Sequence, residues 1–314
     1  MKILITGASG FVGSSFMNAY ENEHEIYGIG RRSLKKKNYY AFDLTQPIDW
    51  DINPDVVIHC AAKSSPWGSY EDFYKQNVVS TQNIINFCKK RGVKKLIYIS
   101  SSSVFYKNQD QFDINNDTQI GPDFVNHYAK TKYLGEQLVK EKFENHVILR
   151  PRAVYGQGDT VLFPRILTAA RKGKLPQIIG KEVIGDLVYI DNLTHYMLQA
   201  CVKDIQGEYN LTDGNPVEIY SFLKTILNKL NIDVQFKPLT IGKAMFVAGL
   251  IENIYRFSPT KAEPPITKFG VGVFSYSKTF NVENTQKVLG LPPFTTEEGV
   301  ERFVNWQLEQ EKMN

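Results

Sequence analysis

Through the first half of the chain, short runs of aliphatic and β-branched residues alternate with longer stretches in which apolar residues recur at helical spacing. The runs Lys2 to Thr6, Glu25 to Ile29, Asp55 to Cys60, Lys94 to Ser100 and Asn145 to Leu149 are apolar almost without interruption, which predicts strands covered on both faces. Between them, Ser69 to Arg91 and Asn126 to Phe143 predict helices with polar outer faces, and Gly92 supplies a helix stop. The alternation predicts an α/β fold of stacked βαβ units around a doubly wound parallel sheet. After Arg150-Pro151, glycine and proline punctuate shorter elements, so a smaller C-terminal lobe is expected over 151–314 beside a sheet domain over 1–150. A strand over Asp186 to Ile190 and a helix over Asn192 to Val202 read as one more βα unit, which would return the chain to the first sheet at 186–202.

The 314 residues are 42% apolar, enough for a sizeable core without metals or disulfides. With 37 basic against 33 acidic residues, the net charge of +4 makes no case for a nucleic-acid partner. Cys60, Cys88 and Cys201 are odd in number, far apart and set in apolar stretches, and His24, His59, His127, His146 and His195 lack ligand spacing. A reducing compartment is expected, and no metal site. The opening apolar run is too short for a signal-peptide core and no stretch is long enough to span a membrane, so the expected location is the cytoplasm.

Chemistry enters at Gly7-Ala8-Ser9-Gly10-Phe11-Val12-Gly13, a G-x-x-G-x-x-G directly after the first strand and at the head of a helix. Glycines there permit a tight turn, close backbone approach to a pyrophosphate and close packing of helix on strand, while the helix N-terminus offers free N–H groups. In the first βα turn of a Rossmann sheet, this predicts a dinucleotide site. The second strand ends Gly28-Ile29-Gly30-Arg31-Arg32, without a carboxylate for a ribose hydroxyl, and Arg31, Arg32, Lys35, Lys36 and Lys37 crowd the place of a 2′-phosphate. NADP is therefore expected, with NAD as the alternative. Asp43-Leu44 reads either as an adenine contact or as an ordinary turn.

Open α/β sheets place ligands at the carboxyl ends of their strands. Ile97-Tyr98-Ile99 runs there into four serines, Ser100 to Ser103, and Tyr128 and Lys132 follow at i and i+4 on one face of the next helix. A phenol ordinarily titrates at about 10, so an adjacent ammonium is expected to bring Tyr128 down towards the working range for proton exchange with a substrate oxygen. A serine hydroxyl would orient that oxygen. His59 ends a buried-type strand, and a structural or cofactor-packing role is expected for it.

Together with His59-Cys60-Ala61-Ala62, Asn77-Val78, Ser100 to Phe105 and Leu149-Arg150-Pro151-Arg152-Ala153-Val154-Tyr155-Gly156, these residues resemble, in order, the motif series of the extended short-chain dehydrogenase/reductase family over most of the chain. The tail, with Glu263-Pro264-Pro265-Ile266-Thr267, Phe280-Asn281-Val282 and Leu289-Gly290-Leu291-Pro292-Pro293, is most similar to the hydroxysteroid dehydrogenase-like branch that includes 2-alkyl-3-oxoalkanoate reductases. The resemblance implies catalytic roles for Ser101, Tyr128 and Lys132, with Ser102 and Ser103 as alternatives to Ser101. It implies cofactor contacts from Gly7, Ser9, Gly10, Phe11, Val12 and Gly13, and from Arg31, Arg32, Asp43 and Leu44. Ala61, Ala62, Asn77, Tyr128, Lys132, Pro151, Ala153 and Val154 complete that implied set. It also implies a homodimer through the two long crossover helices.

Ser102-Ser103 stand where nucleotide-sugar dehydratases carry Asp-Glu, so the carboxyls that dehydration needs are missing. Ala153 replaces the asparagine that nucleotide-sugar enzymes tend to carry before Val-Tyr-Gly, and Tyr106 takes a usual glycine place. Ile241 to Ile251 is too short and too flanked by charge to cross a bilayer. It reads as a core or dimer helix, or else as an apolar wall for the substrate or a patch that lies on membrane. The expected activity is an NADP-dependent oxidoreductase interconverting a hydroxyl and a ketone on a small apolar molecule, 3-oxoacyl or sterol-like. A nucleotide-sugar epimerase is the first rival, and a non-catalytic NADP sensor the second.

Overall fold

The computed structural model describes residues 1–258 and 262–313. Its main sheet has seven parallel strands: β1 (Lys2–Thr6), β2 (Glu25–Gly30), β3 (Tyr39–Ala41), β4 (Val56–His59), β5 (Lys95–Ile99), β6 (His146–Pro151) and β7 (Gly207–Leu211). They lie in the order β7-β6-β5-β4-β1-β2-β3. The order reverses between β1 and β4, and such a switch point leaves a crevice above the C-terminal strand ends.

Successive side chains of a strand point to opposite faces, and here both faces are buried. Ile3, Ile5, Val56, Ile58, Ile97, Ile99, Val147 and Leu149 join the core on one side, while Leu4, Val57, Leu96, Tyr98 and Ile148 join the core on the other. The first core is closed by α1 (Phe11–Tyr20), through Phe16 and Met17. The second is closed by α2, residues 70–90, and by α3 (His127–Lys142). Ser69 starts α2 by accepting the Asp72 N–H at 3.2 Å, and Asn126 starts α3 by accepting that of Ala129 at 2.8 Å. Within α2, Lys75–Val79 is a π-helical turn between Tyr70–Tyr74 and Ser80–Lys90.

A smaller four-stranded sheet runs Val217–Glu218, Ile184–Gly185, Lys278–Phe280, Gln111–Ile114, so the segment between β5 and α3 contributes an edge to the later lobe. The expected strand over Asp186 to Ile190 shrinks to Val188–Tyr189 and pairs with Val154–Tyr155 outside the main sheet. Asp186 instead accepts the Phe280 N–H through Oδ2 at 2.8 Å, and Ile190 already begins α4 (Ile190–Val202). α4 nonetheless packs against α1, β5 and β6, and the strand that rejoins the main sheet is β7, whose Gly-Glu-Tyr-Asn-Leu lacks the apolar run that marks the other strands.

The apolar stretch forms α5 (Ile241–Phe257), of which only Ala244 and Ala248 are buried. Phe246, Leu250, Ile254 and Phe257 are 68, 50, 66 and 85% exposed. Ile241 and Met245 are half-buried against the main core, so the helix is anchored along one side while those four large side chains stay exposed. Among the described residues, no helix is long and apolar enough to cross a membrane.

Candidate active site

A cleft of ≈ 340 Å³ sits at the ends of β1, β2 and β4. Nine residues expected from the sequence line it, namely Gly7, Ser9, Gly10, Arg31, Arg32, Asp43, Leu44, Ala61 and Ala62. Gly30, Phe42 and Cys60, each next to an expected residue, also line it, as do Gln76 and Ser80 from α2, which escaped the sequence reading. Gly7 turns with φ +70°, and a Cβ there would lie 2.9 Å from the Ala61 nitrogen. A Cβ on Gly13 would overlap the Gly7 carbonyl oxygen. Gly10 caps α1 with no side chain to occupy its first amides, so those of Phe11, Val12 and Gly13 are left for an anion. Bare backbone where side chains would obstruct, amides at a helix start and two guanidinium groups at the end of β2 together fit a dinucleotide.

The basic run is only partly committed to the cleft. Arg31 lines it and donates through Nη1 to Gln76 Oε1 at 3.3 Å. Lys36 turns towards α1 instead, pairing with Glu21 and donating to Asn18 Oδ1, each at 2.8 Å, and Lys35 and Lys37 are not among the lining residues. Asp43 takes the turn role, its Oδ1 accepting the Thr45 N–H at 3.0 Å, while still facing the cleft.

His59 is fully buried and held down to about 3 by desolvation and by the Lys132 charge. Its tautomer follows from its neighbours. Thr81 Oγ1 lies 2.6 Å from the Asn77 carbonyl, which can only accept, so Thr81 gives its proton there and receives the His59 Nε2–H at 3.1 Å. Nδ1 is then the acceptor for the Thr6 hydroxyl at 2.7 Å, and Thr6 Oγ1 in turn accepts the Ala61 N–H at 3.1 Å. This chain ties the cleft wall at Ala61 to α2, which is a structural role. Asn77 is buried behind the cleft, its Oδ1 accepting the Lys63 N–H at 2.7 Å and its Nδ2 donating to Thr131 Oγ1 at 3.0 Å. Pro151 ends β6, and Val154 pairs with Val188. Ala153, at φ +38°, lines a separate apolar cavity rather than this cleft.

The serine, tyrosine and lysine stand further along the same rim. Ser101 caps the short helix Ser102–Phe105 and accepts from Ser103 Oγ at 2.9 Å. Ser102 turns to the Tyr106 hydroxyl at 3.2 Å, so of the three serines it is Ser101 that faces the Tyr128 phenol. Ser64, two residues beyond the cleft-lining Ala62, faces it as well and was not anticipated. Burial raises Tyr128 above its ordinary value, against the lowering effect of the Ser101 and Ser64 hydroxyls. The expected lowering by Lys132 is not observed. Its Nζ reaches into the sheet, donating to the Ile99 carbonyl at 2.6 Å and lying 4.1 Å from the centre of the Tyr98 ring. Burial pushes Lys132 down to about 7. Beneath them Arg150 and Glu136 form a buried two-bonded ion pair at 2.8 and 3.0 Å, and Ser100 donates to the same carboxylate.

A doubly wound sheet with a glycine cradle in its first turn, and a serine, a tyrosine and a lysine gathered at the end of β5, defines an NAD(P)-dependent dehydrogenase or reductase of the extended short-chain type. The chain belongs to the NAD dependent epimerase/dehydratase family, whose model matches residues 3–212. It is 27% identical to the 2-alkyl-3-oxoalkanoate reductase of Stenotrophomonas maltophilia (strain K279a), over 96% of this chain and 98% of the relative. It is 29% identical to the decarboxylating sterol-4-alpha-carboxylate 3-dehydrogenase of Mus musculus, over 96% of this chain and 90% of that one. In fold it matches the structure of MoeE5 in complex with UDP-glucose and NAD, with a TM-score of 0.77 at 19% identity, covering 99% of this chain and 100% of that one.

Proposed function

We propose that this oxidoreductase reduces the ketone of a small apolar substrate, with Tyr128 as proton donor, Ser101 as the hydroxyl that orients the carbonyl oxygen, and NADP preferred to NAD. The observation that carries the reading is the meeting of Ser101 with a buried Tyr128 whose phenol keeps its proton at neutral pH. Gly7, Gly10, the first amides of α1, Arg31, Arg32, Ala61 and Ala62 would hold the dinucleotide, and Lys132 would hold its ribose. When bound, the nicotinamide supplies hydride to the carbonyl carbon. Tyr128 Oη gives its proton to the carbonyl oxygen as negative charge develops there, and the Ser101 hydroxyl keeps that oxygen in line.

The relatives named for 2-alkyl-3-oxoalkanoates and for sterol carboxylates support an apolar substrate, and the missing Asp-Glu pair speaks against dehydration. Consumption of NADPH and NADH should be followed against 3-oxoacyl, sterol and sugar-nucleotide panels. Apolar ketones should consume NADPH, and Tyr128→Phe should lose about 10²–10⁴-fold in rate while still binding cofactor. Undiminished turnover by that variant sinks the assignment, and conversion of UDP-sugars with no net cofactor consumption moves it to an epimerase.

The same reading takes the protein as a cytoplasmic homodimer through α2 and α3, to be checked by sedimentation velocity. It also rests the exposed face of α5 on a lipid surface. That face carries Lys243, while Arg256, on another side of the helix, acts on His127, the residue before Tyr128, so the end of α5 flanks the catalytic end.

A further inference from the structure

Helix α2 changes its winding where it passes the dinucleotide cleft. Lys75–Val79 is a π-helical turn, and such turns collect at functional sites because the extra residue re-aims the side chains around it. Here the turn is held by side chains: the Ser80 hydroxyl donates to the Gln76 carbonyl at 2.5 Å, and the Thr81 hydroxyl to that of Asn77 at 2.6 Å. It divides neighbouring residues between two tasks. Asn77 and Thr81 are taken up by the protein itself, by Lys63, Thr131 and His59, whereas Gln76 and Ser80 line the cleft.

From the opposite wall, at the end of β2, the exposed Arg31 reaches this turn, donating from Nη1 to Gln76 Oε1 at 3.3 Å across forty-five positions of sequence. Its partner is neutral, and Asp43, the carboxylate among the lining residues, is turned to the Thr45 N–H. At Gly30 a Cβ would lie 2.5 Å from both Ser9 Oγ and Tyr39 Oη, so a carboxylate side chain there would have to displace two hydroxyls. Positive charge with no carboxylate set against it is what this end of the cleft offers. An exposed guanidinium swings through many rotamers, and that freedom is lost when it grips a phosphate. Gln76 holds it in advance. A carboxylate would hold it too, but would neutralise it and repel a phosphate, whereas an amide oxygen takes one N–H donor and leaves the charge and the other donors free.

We propose that Gln76 is a positioning residue for cofactor choice: through its amide oxygen it fixes the Arg31 guanidinium for the 2′-phosphate that NADP carries and NAD lacks. The inference rests on the NADP preference proposed above. It puts part of that selectivity on α2, away from the glycine turn and the strand end, and on a side chain whose use lies in being uncharged.

Titration with NADPH and with NADH, followed by nucleotide fluorescence, gives the ratio of the two dissociation constants without turnover. Because the ratio compares two ligands on one protein, partial unfolding of a variant cancels from it. Gln76→Ala should weaken NADPH binding about 3–10-fold and NADH binding by no more than about twofold. Gln76→Glu keeps an acceptor for Arg31 but adds a charge, and should weaken NADPH about 10–100-fold, whereas a merely structural need for a polar side chain predicts the milder effect for this variant. Arg31→Ala should already lower the preference for NADPH, and adding Gln76→Ala to it should lower that preference no further. An unchanged ratio in Gln76→Ala, wild-type NADPH binding by Gln76→Glu, or a full further loss in the double variant overturns the role of Gln76, while the effect of Arg31→Ala leaves the NADP reading standing. A wild-type protein that binds both nucleotides equally, or a ratio that Arg31→Ala does not move, removes the NADP reading and the inference with it.

Discussion

Burial shifts both Lys132 and Tyr128 towards their neutral forms, and the lysine shift has consequences that can be measured. The folded value of about 7 for Lys132 lies below its ordinary 10.5, so the unfolded chain holds that proton more tightly. Stability should therefore rise as pH climbs from about 7 towards about 10.5, where the folded protein carries the lysine neutral and the unfolded chain loses its advantage. Lys132→Met removes the buried charge, and is expected to raise stability by about 1–4 kcal/mol at about pH 6, with the gap over wild type narrowing at higher pH. Thermal melts across that range check it, and a gap that widens with pH would contradict the assignment. The same variant should lose activity, since a site residue kept at a cost to stability is kept for function. The pairing of Tyr128 with Lys132 was legible from the i, i+4 spacing. What the two side chains touch was not, because Lys132 is drawn to a carbonyl of β5, thirty-three positions away in sequence.

At the scale of elements, β1, its glycine turn and α1 form one unit in which the helix is pressed against the turn. Gly13→Ala would set a methyl group against the Gly7 carbonyl oxygen, and backbone on both sides leaves nothing flexible to yield. The expected loss is about 1–3 kcal/mol of stability together with weaker NADPH binding, read by melting and by quenching of nucleotide fluorescence. A variant as stable as wild type with unchanged cofactor affinity would mean that the cradle is not where the dinucleotide sits. This unit was fully legible, since the apolar run, the glycine spacing and the helical period are all local. β3 and β7 were not, as each is short or mixed in polarity and becomes a strand only by pairing with β2 or β6. The basic run after β2 was half legible. Its charges were visible, but not that Lys36 would find Glu21 and Asn18 on α1 before it could reach the cleft.

Across the whole molecule, α5 presents one continuous apolar face, Phe246, Val247, Leu250, Ile254 and Phe257, with the exposed Lys243 beside it. Sedimentation with vesicles containing phosphatidylglycerol should carry the protein down, and Leu250→Glu with Ile254→Glu should leave it in the supernatant with its activity on a water-soluble ketone unchanged. Wild-type protein that stays in solution over a wide range of lipid would end this reading. The sequence by itself determined the doubly wound sheet, the glycine cradle and the candidate proton donor, because strand and helix periods and the backbone freedom of glycine act between near neighbours. Only the tertiary structure decided that Ser101 rather than Ser102 or Ser103 meets Tyr128, that Arg150 pairs with Glu136, and that α5 turns most of its large side chains outward. Burial and choice of partner depend on which distant segments come to rest beside a residue, and that information is not carried in the pattern around it.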